Sequence, residues 1–250
     1  MGETVCLHNG TVLTGFTVME NCAVLVEDGF ISDVFSQKRF KERSFGQKEL
    51  VIDVGGAYIA PGFIDTHTHG TGGYGTEDSI FCDPELPEKE AIELGVNSML
   101  ELSKLFAQRG VTAFNPTLYP SPPELMLRAV KAVSSAIGKE EGPLLANGEE
   151  VAFQGGAFRR VQDGVIAGSG LTMIRGVKNL VDGGLSLSNA VKTASFNPAQ
   201  IMGYAMQGAI IPGRLADITV FDKDFDVRLV MVGGKIVKGD ENATGDSQEP

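Results

Sequence analysis

The chain has 250 residues and a formal net charge of −11, and its hydrophobic content of 42% and charged content of 21% are ordinary for a globular protein. No apolar run is long enough to span a bilayer, and the first residues lack the basic and apolar regions of a secretory signal. The acidic balance argues against nucleic acid as a partner, because phosphate binding needs clustered Lys and Arg. The three cysteines form no CxxC pair, so we expect a reducing, cytoplasmic location without disulfides.

Short strands are predicted at both ends of the chain. Asn9-Gly10, Asp28-Gly29 and Gly233-Gly234 each lie between apolar runs, which is a strong signal for hairpin turns. The predicted strands are residues 5–13, 23–27, 31–35, 51–54, 207–211, 217–221, 227–232 and 235–237, and residues 38–48 are predicted as a surface loop. We expect residues 1–57 and 205–238 to form one small β-sandwich, with a disordered tail at 239–250.

The segment between the two ends alternates between strand and helix patterns. Apolar residues recur at helical spacing in two stretches, and Gly110 follows the first at the position of a C-cap. The predicted elements are strands at 58–66 and 111–118, helices at 88–109 and 124–137, a hairpin over 151–166 turning near 162–164, and helices at 172–181 and 188–196. Strand–helix–strand–helix is the beginning of a parallel α/β array.

The most informative segment is residues 61–70, PGFIDTHTHG, which ends in a histidine pair. Side chains two positions apart on a strand point to the same face, so His67 and His69 can reach one metal ion. Neutral imidazoles suit zinc, iron or nickel. An isolated HxH would be chance, but the flanking sequence and the glycine-rich stretch after it favour a metal motif. Asp65 is interpreted as a residue that supports the histidines from behind.

Several motifs in the right order resemble those of the N-acetylglucosamine-6-phosphate deacetylase family, within the amidohydrolase superfamily. The first-strand signature of the superfamily is similar to PGFIDTHTHG. Further similar segments are GVTAFNPTL at 110–118, AGSGLTM at 167–173, VKNLV at 177–181, ASFNPA at 194–199 and GAIIPGRLADIT at 208–219.

The resemblance implies a TIM-type β/α barrel that hydrolyses an amide with a bound divalent metal, yielding glucosamine 6-phosphate and acetate. Its partner would be a phosphorylated amino sugar, and a homodimer is left open. His67 and His69 would be metal ligands. A weaker implication is substrate contact by the segment after the eighth barrel strand; its members are Gly168, Ser169, Leu171 and Thr172.

The middle of such a barrel is missing from the sequence. The predicted sandwich leaves roughly 150 residues, 58–204, for a barrel that needs about 200 or more. The family's metal-binding Glu, two further histidines and catalytic Asp are absent, since His8 is the only other histidine. Glu141-Gly142-Pro143 resembles the EGP motif only weakly. The fold expected is therefore a partial barrel, 58–204, plus the small sandwich.

Two explanations of the gap remain open. An internal deletion, joined around residues 144–147, is favoured because the retained motifs look undamaged. The other is a natural pseudoenzyme or binding module. A dihydroorotase- or hydantoinase-like amidohydrolase is also possible, although those enzymes carry a carboxylated Lys for which no strand is evident. We expect negligible activity and a chain that associates through its exposed edges.

Overall fold

The computed structural model describes residues 4–136, 151–154, 157–160 and 166–239. The chain divides into two compact units. The first contains the residues up to Asp65, Ala107–Ala113, and the residues from Met173 onward, and the second contains Thr66–Phe106 and Phe114–Thr172. The domain bounds expected from the sequence stay a prediction. All three cysteines are free.

Strands and helices alternate irregularly along the chain. The strands are β1 (Thr4–Leu13), β2 (Val18–Glu27), β3 (Phe30–Ser36), β4 (Glu49–Asp53), β5 (Tyr58–Pro61), β6 (Phe63–Thr68), β7 (Gly70–Thr71), β8 (Tyr74–Gly75), β9 (Val111–Pro116), β10 (Val151–Gln154), β11 (Ala157–Arg160), β12 (Ile166–Ser169), β13 (Ile218–Phe221), β14 (Val227–Val232) and β15 (Lys235–Lys238). The helices are α1 (Gln37–Glu42), α2 (Glu88–Gln108), α3 (Pro123–Ala136), α4 (Met173–Asp182), α5 (Leu187–Ala194) and α6 (Phe196–Met202).

Strands from both ends of the chain meet in one eight-stranded sheet. Its order is β15-β14-β13-β5-β1-β2-β3, with β4 also paired to β1. The junction is β5, which runs parallel to β1 and antiparallel to β13. Ile59 on β5 is fully buried in a core that also contains Leu7 and Ile218, so apolar residues of both ends stabilise the same sheet. That this sheet forms a sandwich with the expected bounds stays a prediction.

The second unit contains the end of a short strand pair and two long helices. β6 and β9 form a two-stranded sheet, in which the amide of Thr117 donates to the carbonyl of Thr68 at 2.8 Å. Helices α2 and α3 confirm the expected helices within one or two residues. Gly95 of α2 lies close to α3, because a Cβ at this position would stand 2.7 Å from Cβ of Ala132. The chain is thus mixed α/β; that β6 and β9 belong to a partial barrel stays a prediction.

Four local expectations are wrong. The turn expected at Asn9-Gly10 does not form, because both residues lie within β1, where the pairing with β2 is irregular between Leu7 and Gly10. Residues 207–211 form no strand, since Gly208 adopts a left-handed backbone at φ 80°. The expected loop at 38–48 begins inside α1, whose N-cap Ser36 accepts a bond from the Arg39 amide. The strand expected at 58–66 divides at Gly62, where the Thr112 side chain occupies the space a Cβ would need.

The helix expected at 188–196 corresponds to α5 within two residues, and a second helix, α6, follows it after a break at Ser195. The Ser195 backbone is not helical, at φ −134° and ψ −77°. Pro198 explains the break, because its ring would clash with the Ala194 carbonyl if α5 continued. In the first turn of α6 the missing proline amide costs nothing, since the first four amides of a helix have no partner within it.

The hairpin expected over 151–166 is only partly described. β10 and β11 pair antiparallel, with Gln154 opposite Ala157, and β12 adds a third strand. The turn expected near 162–164, the EGP-like residues and the expected join at 144–147 lie outside the described residues. Among the helices that the structure describes, none is long and apolar enough to cross a membrane.

Candidate metal site

The two histidines of the HxH motif lie side by side where β6 ends. The strand begins buried at Phe63 and Ile64, and becomes exposed at Thr66 and His67. The rings of His67 and His69 have centroids 5.2 Å apart and planes inclined at 78°. Two imidazoles that share a tetrahedral zinc, with Zn–N distances of about 2.0–2.1 Å, have centroids roughly 5 Å apart. The spacing therefore fits two ligands of one metal ion.

A buried carboxylate stands behind the second histidine. Glu77 has a relative exposure of 0%, and its Oε1 lies 2.9 Å from Nδ1 of His69. The same oxygen accepts a bond from the Tyr119 amide at 2.8 Å, and Oε2 accepts one from the Thr76 hydroxyl at 2.8 Å. A carboxylate that contacts the outer nitrogen of a histidine is the usual support for a metal-binding imidazole.

The glycine-rich loop, residues 70–75, brings the Glu77 carboxylate back to His69. β7 and β8 pair across a tight turn, and Gly70 has φ 131°, a conformation that only glycine adopts easily. The Thr76 amide donates to the His69 carbonyl at 3.0 Å, which closes the loop. Asp78 anchors it from the other side by accepting bonds from the Gly75 amide and the Ser98 hydroxyl. Burial raises the pKa of the Asp78 carboxyl.

An aromatic ring covers one face of His69. The Tyr119 ring stacks on the imidazole with centroids 3.9 Å apart and planes inclined by only 8°. Tyr119 follows β9 and is 46% exposed. The Thr76 hydroxyl donates a hydrogen bond of 2.6 Å to the Thr117 carbonyl, which links the segment after β9 to the glycine-rich loop. Stacking and the carboxylate contact together restrain the imidazole.

Sequence reasoning singled out His67 and His69, whose role as metal ligands stays a prediction, and it missed Glu77 and Tyr119. The only signal for Glu77 was an acidic pair directly after the glycine-rich loop, and nothing marked Tyr119. Asp65 belongs to the first unit, and its supporting role stays a prediction. The expected substrate contacts also stay predictions: Gly168 and Ser169 lie on β12, and Leu171 and Thr172 lie between β12 and α4.

The donor set fits a divalent metal only in part. Two imidazoles are suitable ligands for zinc, but a catalytic zinc usually has three protein ligands. In the described part of the chain, no group of three His, Cys, Asp or Glu side chains could hold an ion. The described residues therefore supply two positions of a metal site and leave the others without ligands.

Comparison with known proteins gives matches to amidohydrolases. Residues 161–237 match the model of the amidohydrolase family. The chain is 31% identical over 103 residues to N-acetylgalactosamine-6-phosphate deacetylase of Escherichia coli O157:H7, covering 40% of this chain and 27% of that protein. It is 28% identical over 137 residues to a dihydroorotase of Caldanaerobacter subterraneus subsp. tengcongensis, covering 54% of this chain and 26% of that protein. The matches thus span about a quarter of the length of these relatives.

A solved structure with the same fold is N-acetylglucosamine-6-phosphate deacetylase from Pasteurella multocida. It superimposes with a TM-score of 0.74 at 16% identity, covering 95% of this chain and 100% of that chain. At this identity the likeness establishes the fold alone. The resemblance seen in the sequence is confirmed: residues 161–237 match the amidohydrolase family model, and the chain has the fold of an N-acetylglucosamine-6-phosphate deacetylase.

Proposed function

We propose that the chain derives from a metal-dependent amide hydrolase of the N-acetylglucosamine-6-phosphate deacetylase type. The reaction of that type converts N-acetylglucosamine 6-phosphate and water into glucosamine 6-phosphate and acetate. The observation that carries the proposal is the His67–His69 pair, spaced for one ion and supported by buried Glu77. A divalent ion such as zinc or iron would be held by these two imidazoles, and when bound it would polarise the substrate carbonyl and acidify water.

The proposal includes negligible turnover by this chain. Two protein ligands hold a metal less firmly than the usual three, and the Asp that the family uses as general base has no counterpart in the sequence. An internal deletion accounts for both losses. The gene or transcript around codons 140–150 tests this origin, because a longer reading frame there would restore the missing strands.

The test of function is an acetate-release assay on N-acetylglucosamine 6-phosphate with purified, zinc-supplemented protein. We expect a rate indistinguishable from that of the His67→Ala and His69→Ala variants, prepared in the same way. Robust turnover that both substitutions abolish would contradict the proposed inactivity. Turnover that survives both substitutions would identify a contaminating host enzyme.

A second candidate is a dihydroorotase-like activity, favoured by the dihydroorotase match, which covers more of this chain than the deacetylase match. The PTL segment at 116–118 and the AGSGLTM segment at 167–173 favour the deacetylase type instead. Assaying dihydroorotate hydrolysis beside acetate release separates the two. A chain that binds no metal and turns over neither substrate would be a non-catalytic binding module.

A further inference from the structure

Glu77 is an acidic side chain in a buried environment, where a charged carboxylate is costly. It has no exposed surface, and removing a carboxylate from water costs several kcal/mol unless hydrogen bonds compensate. A loop-closing residue at this place could be an amide or an apolar side chain. The presence of a carboxylate, beside an imidazole that the HxH motif marks as a metal ligand, therefore needs its own explanation.

The hydrogen bonds of Glu77 define which nitrogen of His69 carries hydrogen. A carboxylate only accepts hydrogen bonds, and its Oε1 faces Nδ1 of His69 at 2.9 Å. The Tyr119 amide and the Thr76 hydroxyl donate to the same carboxylate, so two donors offset the cost of its burial. An ionised carboxylate has no hydrogen to donate, so the contact with His69 is a hydrogen bond only when Nδ1 carries the hydrogen, an arrangement that leaves the lone pair of Nε2 free.

The stacked tyrosine restricts the ring further. With one face against the Tyr119 ring and Nδ1 within hydrogen-bond distance of Glu77, the imidazole cannot rotate about its Cβ–Cγ bond without breaking the contact with the carboxylate. The backbone amide of Tyr119 also donates to Glu77, so this one residue contacts both the carboxylate and the face of the imidazole. Glu77, His69 and Tyr119 form one connected unit.

We infer that Glu77 is a positioning residue, which holds His69 with Nδ1 protonated and Nε2 presented to a divalent cation. This inference rests on the proposed function for the identity of the ligand. It differs from a purely structural role, in which Glu77 would only close the loop through Thr76 and Tyr119, because it requires the carboxylate to control the tautomer of His69 and the affinity for metal.

The tautomer is measured without metal by nitrogen NMR of histidine-labelled protein, at a pH where the imidazoles are neutral. The signals are assigned by comparison with a His69→Asn variant. We expect His69 of the wild type to be protonated on Nδ1, and to become a mixture of tautomers in Glu77→Met, which removes the acceptor. Glu77→Gln keeps an acceptor oxygen and should retain the Nδ1–H form. A wild-type His69 protonated on Nε2 would overturn the inference, and this result needs no variant to fold.

Zinc affinity is measured by competition with a chromophoric chelator. Loss of a carboxylate behind a metal-binding histidine costs about 10–100-fold in affinity, and we expect a loss in this range for Glu77→Met and a smaller one for Glu77→Gln. The matched control is Glu101→Gln on α2, which removes a carboxylate paired with Lys104 and should leave zinc affinity unchanged. Folding of each variant is compared by circular dichroism.

The outcomes separate the inference from the proposed function. Wild-type zinc affinity retained by folded Glu77→Met would overturn the positioning role. A wild type that binds no zinc, yet shows His69 protonated on Nδ1 in a Glu77-dependent way, would overturn the metal site while supporting control of the tautomer by Glu77.

Discussion

At the scale of single residues, the site depends on acids that are buried beside the glycine-rich loop. Glu77 accepts bonds from two donors and lies within hydrogen-bond distance of His69, whereas Oδ1 of its neighbour Asp78 is buried and has no partner among the residues that the structure describes. The sequence predicted the histidines because strand periodicity and flanking residues mark them. It could not predict these acids, since their role depends on a loop that returns to the strand end through contacts between residues eight or more positions apart.

The first prediction concerns the pH dependence of stability through Asp78. Its folded-state pKa is raised, mainly by burial, so the folded protein binds more protons than the unfolded chain above the ordinary pKa of an aspartate. Stability should therefore be greatest below that ordinary pKa, and should fall as pH rises through the folded-state pKa. Asp78→Asn imitates the protonated form and should remove this fall.

Urea unfolding midpoints across the acidic to neutral range measure this effect. The substitution should raise the midpoint at neutral pH and leave it unchanged at the acid end. Asp224→Asn, at an exposed position, is the control that should follow the wild type throughout. A wild type and Asp78→Asn variant with the same pH profile would contradict the prediction.

At the scale of elements, sequence patterns located the long helices well and the irregular segments poorly. α2 and α3 have apolar residues at helical spacing over three or more turns, so their positions follow from periodicity. The segment at 207–211 is apolar but not a strand, because Gly208 lies against Ala199 and the Ser195 carbonyl in a left-handed conformation. Such packing involves another part of the chain and has no signature in the local pattern.

The close approach of α2 and α3 gives the second prediction. Gly95→Ala gains about 0.5–1 kcal/mol from helix propensity but inserts a methyl 2.7 Å from Cβ of Ala132 and 2.8 Å from Cβ of Ser79. Overpacking costs about 1–3 kcal/mol, so it outweighs the gain, and the variant should be destabilised by about 1 kcal/mol.

The urea midpoint measures this change, and a double variant identifies its cause. Adding Ala132→Gly should recover part of the lost stability, because it removes one of the two colliding groups. Asn97→Ala, at an exposed position of α2, is the control and should not destabilise the protein. Stabilisation by Gly95→Ala alone would show that the two helices have room for the added methyl group.

At the scale of the whole molecule, the two sheets differ in how much of their pairing and packing is complete. The sheet that joins the two ends of the chain has eight strands and a large buried core, whereas β6 and β9 form only a pair. The large sheet buries residues such as Ile59, Val24 and Met231 from distant parts of the sequence. β6 and β9 pair only with each other among the described strands. The expectation that β6 and β9 belong to an incomplete barrel rests on chain length and motif order, and it stays a prediction.

The third prediction is association through apolar helix faces. Leu127 and Val130 of α3 are 55% and 47% exposed and lie on one helix face, and Ile201 of α6 is 81% exposed. Exposed apolar patches of this kind favour self-association. Light scattering during gel filtration should therefore show a dimer or larger species, and Leu127→Glu with Val130→Lys should shift the distribution towards the monomer. A wild-type monomer with a sharp, cooperative melt would contradict this.

The central claim is that the end of β6 retains half of a metal site, and cobalt(II) titration tests it most directly. The wild type should bind a single cobalt ion per chain, weakly, with a visible absorption band that reports nitrogen ligation. The double variant His67→Ala, His69→Ala should lose both the band and the binding. Binding that is unchanged in the double variant, or absent from a folded wild type, would contradict the account.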